Sequence, residues 1–307
     1  MRSFSPSEAG LEGFRITREN MPAFVRWVLF SFAVSLLGAV VTVSMPVEVR
    51  TALETLRADD TPNARELLDA LMAAAPLVAV GLMIQCMMAA AVYRIIFRHD
   101  DARFGYLRLG MDELRLMGLT ILFVLMLMFL LVGVTLIATL VMGMASVAGQ
   151  SVGLWVGLAV ELFSIGLVIY VVIRLSLAPV VTFAERRIVL FRSWGVTKGQ
   201  FWELLLAYLL AAFCIFLVTV LTLILFLSVA FIFLKVSGGE FSEIGAIINP
   251  DETSYRAYFN PGMILYMFIG SILTSLWYAV IAAPGAWAYL QLRNRGADQP
   301  MAPASGT

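Results

Sequence analysis

The 307 residues are 61% hydrophobic and 14% charged, and 21 basic side chains balance 21 acidic ones to a net charge of zero. Mean hydropathy is +0.91. A soluble domain is nearer half apolar and a quarter charged, so this composition excludes an ordinary soluble enzyme, and the neutral sum gives no hint of a nucleic-acid partner.

Several apolar runs exceed the roughly 18–20 residues that a helix needs to cross a bilayer. The fold class they imply is an all-α integral membrane protein with six transmembrane helices. Residues 1–20 are polar, with weak helical character from Leu11, Phe14 and Ile16, so the first apolar run reads as a retained span, not a cleaved leader. Asn20 and Pro22 suit the cap and first turn of span one, about 23–45, which Pro46 ends. Residues 47–69 fit two short amphipathic helices around a turn at 59–62. Span two covers about 71–97, with Pro76 in its first turns. Phe104, Leu107, Met111 and Leu114 then recur at helical spacing, which predicts a surface helix within 98–115.

Span three covers about 117–141 and span four about 152–175, joined tightly around Gly149-Gln150-Ser151. Span five, about 204–234, would be roughly 46 Å long as a helix. That exceeds the roughly 30 Å hydrocarbon core, so it must tilt or project. A polar loop over 236–262 carries the turn signals Gly238-Gly239, Asn249-Pro250 and Asn260-Pro261. Span six covers about 263–292, and Pro284-Gly285 predicts a kink in it. The chain from 294 to 307 reads as a disordered tail.

Between spans four and five lies RLSLAPVVTFAERRIVLFRSWGVTKGQFW, residues 174–202. It is too charged to cross a bilayer. Phe183, Ile188, Leu190, Phe191 and Trp194 fall on one broad side of a helical wheel, and Glu185, Arg186, Arg192 and Ser193 on the other, although Arg187 and Val189 break the pattern. That reads as a basic amphipathic helix lying in the headgroup layer, with Arg174, Arg186, Arg187, Arg192, Trp194, Lys198 and Trp202 as candidate lipid-interface residues.

The stretch resembles the connector of a family of bacterial multi-pass proteins, the membrane domain associated with glycerophosphoryl diester phosphodiesterases. The positions carrying the resemblance are Arg174, Pro179, Glu185, Ser193-Trp194 and Thr197-Lys198-Gly199. It covers about thirty residues; the remainder fits only in its pattern of spans. Some relatives join this domain to a soluble phosphodiesterase domain, and these residues hold none, which implies a non-enzymatic role.

Sixteen of the 21 Lys and Arg residues lie at the start, in the 94–115 and 174–198 links and in the tail; the opposite loops hold Arg50, Arg57, Arg65, Lys235 and Arg256. The positive-inside rule places both termini in the cytoplasm, and with the resemblance it points to a bacterial inner membrane. The sequence holds no Asn-x-Ser/Thr, which suits that source. A weak threefold repeat is also present. Ile16-Thr17-Arg18 resembles Val196-Thr197-Lys198, and spans two, four and six end in Tyr93-Arg94, Tyr170 with Arg174, and Tyr289 with Arg293. Units near 1–97, 98–178 and 179–293 each comprise an amphipathic segment and two spans, in parallel relation, within one domain over 1–293.

Motifs for catalysis are missing. The one histidine, His99, stands beside Asp100 and Asp101 and reads as a solvated loop residue. No metal set, phosphate loop or nucleophile elbow occurs, so the expectation is no enzyme, no metal and no cofactor. Cys86 and Cys214 lie inside apolar runs and behave as small hydrophobes. Arg94, Arg174 and Arg293 read as snorkelling anchors at span ends.

Glu161 stands out near the middle of span four. A charged side chain at the bilayer centre costs about 2.5–3.5 kcal/mol on the lenient insertion scales, so it is expected to face the bundle interior. Gly153, Gly157, Glu161 and Ser164 share a helix face, with Gly81, Gln85 and Ala89 of span two or Ser271, Thr274, Ser275 and Tyr278 of span six as candidate partners. Glu161 then either fixes helix register or handles protons or substrate on a transport path. The reading that results is a non-enzymatic membrane protein that organises the membrane or supports a partner, contacting lipids through basic interfacial helices. A small transporter or channel using a buried Glu161 is the alternative, with a protein partner or small-molecule substrate unspecified.

Overall fold

A computed structural model describes residues 4–46, 49–50, 64–98, 103–147, 149–236, 245 and 254–297. Among them every regular element is helical, and six helices are long and apolar enough to cross a membrane. The protein is a multi-pass membrane protein of all-α class. The predicted helices of 47–69 fall mostly outside the described residues, as do His99, Asp100 and Asp101.

The elements are α1 (Pro6–Glu19), α2 (Met21–Val43), α3 (Ala64–Phe97), a single 3-10 turn (Arg103–Tyr106), α4 (Met111–Val147), α5 (Gln150–Leu175), α6 (Ala178–Glu185), α7 (Arg192–Val196), α8 (Phe201–Val236), α9 (Tyr255–Tyr258) and α10 (Pro261–Ala297). The spans are those expected from hydropathy, and all but the first extend beyond the expected bounds. Helix α10 runs unbroken through Pro284 and continues to Ala297, so the stretch expected to be disordered begins with helix.

The chain gathers into two compact units. One combines 1–10, 109–209 and 283–307; the other combines 11–108 and 210–282. These units cut across the repeats seen in the sequence, because each takes segments from both ends of the chain.

In the first unit, α4 and α5 form an antiparallel hairpin joined at Gly149, whose φ of 127° suits glycine. The core lies at the connector end. Phe4, Leu177, Val181, Leu204, Ala207, Trp287 and Ala288 pack together, and Leu119, Leu175, Ala178 and Leu190 form a second cluster. Gly285 is required here: a Cβ at that position would stand 2.6 Å from the Tyr208 hydroxyl. Away from this core the apolar side chains of the hairpin are largely exposed, as expected of residues that meet lipid.

In the second unit, Phe14 of α1 packs with Ala211, Ile215, Leu276 and Val280. Gly13 lets α1 lie directly on α10, since a Cβ there would collide with the Val280 backbone. Ala39, Met263 and Met267 form a further cluster with Phe32, Leu36, Tyr258 and Phe259. The first twenty residues therefore hold a well-packed helix, where the sequence alone gave only weak helical character.

Two expected surface helices take other forms. The 98–115 helix does not exist as such. Phe104, Gly105 and Tyr106 all have positive φ, at 49°, 69° and 66°, and the helix that follows belongs to span three. Phe104, Met111 and Leu114 are exposed, whereas Glu113, Leu116 and Leu119 are buried. The turn is held from outside: Trp27 Nε1 donates to the Gly105 carbonyl at 2.6 Å, and Arg94 Nη1 to the Tyr106 carbonyl at 2.8 Å. Positive φ at bulky residues is strained and persists only when the surroundings over-determine it. Arg94 is accordingly only 3% exposed and is no snorkelling anchor.

The second is the predicted helix over 183–194. Helix α6 stops at Glu185, Arg186 adopts a left-handed φ of 55°, and α7 starts only at Arg192. The Val189 N–H donates to the Thr182 hydroxyl at 3.2 Å, closing the loop between them. The predicted apolar side is thereby divided. Phe183 and Leu190 are buried, while Ile188, Phe191 and Trp194 are exposed.

Candidate functional site at the interfacial connector

A helix ends with four carbonyls that lack intrahelical donors. At the end of α5 the connector supplies donors to the Arg174 carbonyl. Ser193 Oγ donates to the Arg174 carbonyl at 2.8 Å, and Thr197 Oγ1 lies 3.1 Å from that oxygen and 2.9 Å from the Ser193 carbonyl. Both hydroxyl residues are buried, so their hydrogen bonds form away from water and are costly to break. Short α7 thus folds back and caps α5.

The same residues fix the Arg174 side chain. Its Nε donates to the Tyr170 hydroxyl at 3.3 Å, and its Nη1 reaches the Trp194 carbonyl and the Thr197 hydroxyl at 3.4 Å each. The guanidinium carbon lies 5.5 Å from the centre of the Tyr170 ring and 5.3 Å from that of Trp194, and the two rings meet edge to face. A cation between two aromatic faces gains about 0.5–2 kcal/mol, depending on how far it is desolvated. Four of the positions that carry the family resemblance come together: Arg174, Ser193, Trp194 and Thr197 are one cap and one cage.

Around this latch the connector presents charge and apolar surface together. Arg186, Arg187, Arg192 and Lys198 are exposed, as are Ile188, Phe191 and Trp202. Arg192 Nη1 is also held by Glu185 Oε2 at 2.8 Å, an ion pair at the surface and so of small energetic weight. Exposed cations beside exposed aromatic and aliphatic groups match the layer where acyl chains meet headgroups.

The intramembrane polar candidates do not assemble in the same way. Glu161 is exposed on α5, not buried. The reason is angular. A Cβ on Gly153 would meet Ser146, and one on Gly157 would meet the Met142 side chain, so the two glycines turn toward α4. Eight residues beyond Gly153 at 100° each place Glu161 about 80° round the helix, off that contact. Ser164 stays on the contact side and donates to its own helix at the Val160 carbonyl, 2.7 Å away. Gln85 is exposed, and a Cβ on Gly81 would meet open space. Ser271 donates to the Met267 carbonyl at 2.7 Å, Thr274 is exposed and Tyr278 is half-buried.

Ser275 does find a partner that the sequence did not reveal. Its hydroxyl lies 3.1 Å from that of Ser31, both buried. Trp27 was equally unmarked, since an aromatic residue in a span reads first as apolar filling. The local signal was the Phe104-Gly105-Tyr106 sequence, where a glycine between aromatics interrupts a helical spacing.

Among the described residues no three His, Cys, Asp or Glu side chains gather as metal ligands would. Comparison with known protein families, with curated proteins and with solved structures found no match to this chain.

Proposed function

We propose that this is a non-enzymatic protein of the bacterial inner membrane, related to the membrane domain associated with glycerophosphoryl diester phosphodiesterases, whose interfacial connector binds anionic lipid headgroups. In this reading it organises the surrounding lipid or supports a partner protein. The observation that carries it is the connector itself: Arg186, Arg187, Arg192 and Lys198 are exposed beside Ile188, Phe191 and Trp202, on a segment pinned to the end of a span by the Arg174 latch. Each basic residue near an anionic surface contributes about 1 kcal/mol, and pinning means that little order has to be gained on binding. The asymmetric distribution of Lys and Arg supports cytoplasmic termini, which sets this connector against the anionic cytoplasmic leaflet.

Glu161 is exposed in the single chain, so the lipid reading draws more support here than the transporter alternative, which rests on a buried Glu161. The lipid reading is tested by energy transfer from the protein's tryptophans to dansyl-labelled lipid in mixed vesicles. Transfer to phosphatidylglycerol should exceed transfer to phosphatidylcholine and fall as salt rises. Equal transfer to both headgroups at low salt would contradict it.

A further inference from the structure

We propose that α5 is the contact helix of a two-fold dimer of this chain within the membrane, closed around Glu161. Leu154, Leu158, Glu161, Ile165, Val168 and Val172 follow one another at intervals of four, three, four, three and four residues. That is the heptad spacing of a helix that packs along its length against another helix. The stripe centres about 80° round the helix from the α4 contact made by Gly153 and Gly157. Leu154 is 67% exposed, Leu158 57% and Ile165 48%, and Glu161 is exposed among them. From Leu154 to Val172 the stripe spans about 27 Å, close to the thickness of the hydrocarbon core, with Glu161 near its middle.

Lipid tails are a poor cover for this face, since a carboxyl at mid-membrane finds no hydrogen-bond partner among them. A second copy supplies one. Both copies insert in the same direction, so the axis relating them lies along the membrane normal and the two α5 helices run parallel. An isologous contact brings each residue near the axis against itself. Most polar groups suit this poorly, but a carboxylic acid carries both a donor and an acceptor and can bond its own copy reciprocally. One polar position in an otherwise apolar stripe also fixes register and copy number, as a lone asparagine does in coiled coils.

The test is single-molecule photobleaching of the full-length, fluorescently labelled chain in phosphatidylethanolamine/phosphatidylglycerol vesicles over a range of protein densities. Wild type should pass from one-step to two-step bleaching as density rises. Glu161→Leu, which folds as readily in lipid, should weaken the dimer by about tenfold or more, and Leu158→Ala by several-fold. Glu161→Gln keeps a donor and an acceptor and should stay within about threefold of wild type. Phe163→Ala, exposed on the far side of the helix, should change nothing. Wild type that stays monomeric at every density, including because a different protein occupies this face, would overturn the proposal. So would a dimer indifferent to Glu161→Leu, or one that Phe163→Ala weakens as much as Leu158→Ala.

Discussion

At the scale of single residues, the connector depends on two hydroxyls and one guanidinium. Thr197 sits between the Arg174 carbonyl and the Arg174 side chain, so its hydroxyl serves the cap and the cage together. Thr197→Val keeps the shape and removes those hydrogen bonds, while the Arg174 carbonyl keeps Ser193 Oγ and the Ser193 carbonyl keeps the backbone N–H of residue 197. A loss of about 0.5–1.5 kcal/mol is expected, the net worth of a hydrogen bond whose acceptors keep a second donor, read as a lower midpoint of thermal unfolding in detergent. An unchanged midpoint would mean that water replaces the hydroxyl. Trp27→Phe makes a parallel case in the other unit, where the Gly105 carbonyl would lose its 2.6 Å donor. A loss of about 1–3 kcal/mol is expected, with faster proteolysis around 103–106 as the second readout, because the strained turn would lose a buried side-chain donor.

These residues differ in how visible they were in the sequence. Arg174, Ser193, Trp194 and Thr197 stand out in the sequence as a pattern, but the pattern does not say that the hydroxyls cap a helix end. Arg94 looked identical to Arg174 in sequence, an arginine after a tyrosine-bearing apolar run. One is buried against a carbonyl and the other caged at the connector, and that difference lies in what the chain does twelve or twenty residues later.

At the scale of elements, close approach of helices rests on particular glycines. Gly285→Ala would bring a Cβ to 2.6 Å from the Tyr208 hydroxyl, and overpacking of this sort costs about 1–3 kcal/mol. Tyr208→Phe removes the obstructing oxygen, so the double variant should recover most of the lost thermal stability. Failure of the rescue would show that the Leu177 and Val180 side chains, at 3.4 and 3.5 Å, set the limit instead. Gly13→Ala has no such remedy, because it meets backbone.

The spans themselves were legible, because twenty apolar residues in a row leave few alternatives. The short amphipathic segments were not. Their periodicity is real, yet over ten residues it cannot distinguish one helix from two fragments and a loop. In 183–194 the Thr182 hydroxyl and the left-handed Arg186 decide the matter. In 98–115 a turn held by Trp27 and Arg94 overrides the spacing. Glu161 was misplaced for a related reason: glycines and carboxyl share a broad face, and only the position of α4 shows which edge is covered.

At the scale of the whole molecule, the chain is a membrane protein whose polar chemistry is concentrated outside its spans. The connector presents exposed cations on a latched segment, which the proposed function sets against the membrane surface, and α5 offers a stripe that suits the proposed second copy. A dimer would present two connectors to one leaflet, and paired sites raise avidity without any new contact.

Native mass spectrometry of the full-length protein released from mixed phosphatidylglycerol/phosphatidylcholine nanodiscs tests the central claim most directly. It should be run beside a variant carrying Arg186→Gln, Arg187→Gln, Arg192→Gln and Lys198→Gln. Wild type should retain phosphatidylglycerol in preference to phosphatidylcholine, and the variant should lose that preference by about tenfold or more, given about 1 kcal/mol for each charge removed. Equal retention of the two lipids by wild type, or a preference that survives neutralisation of all four side chains, would contradict the account.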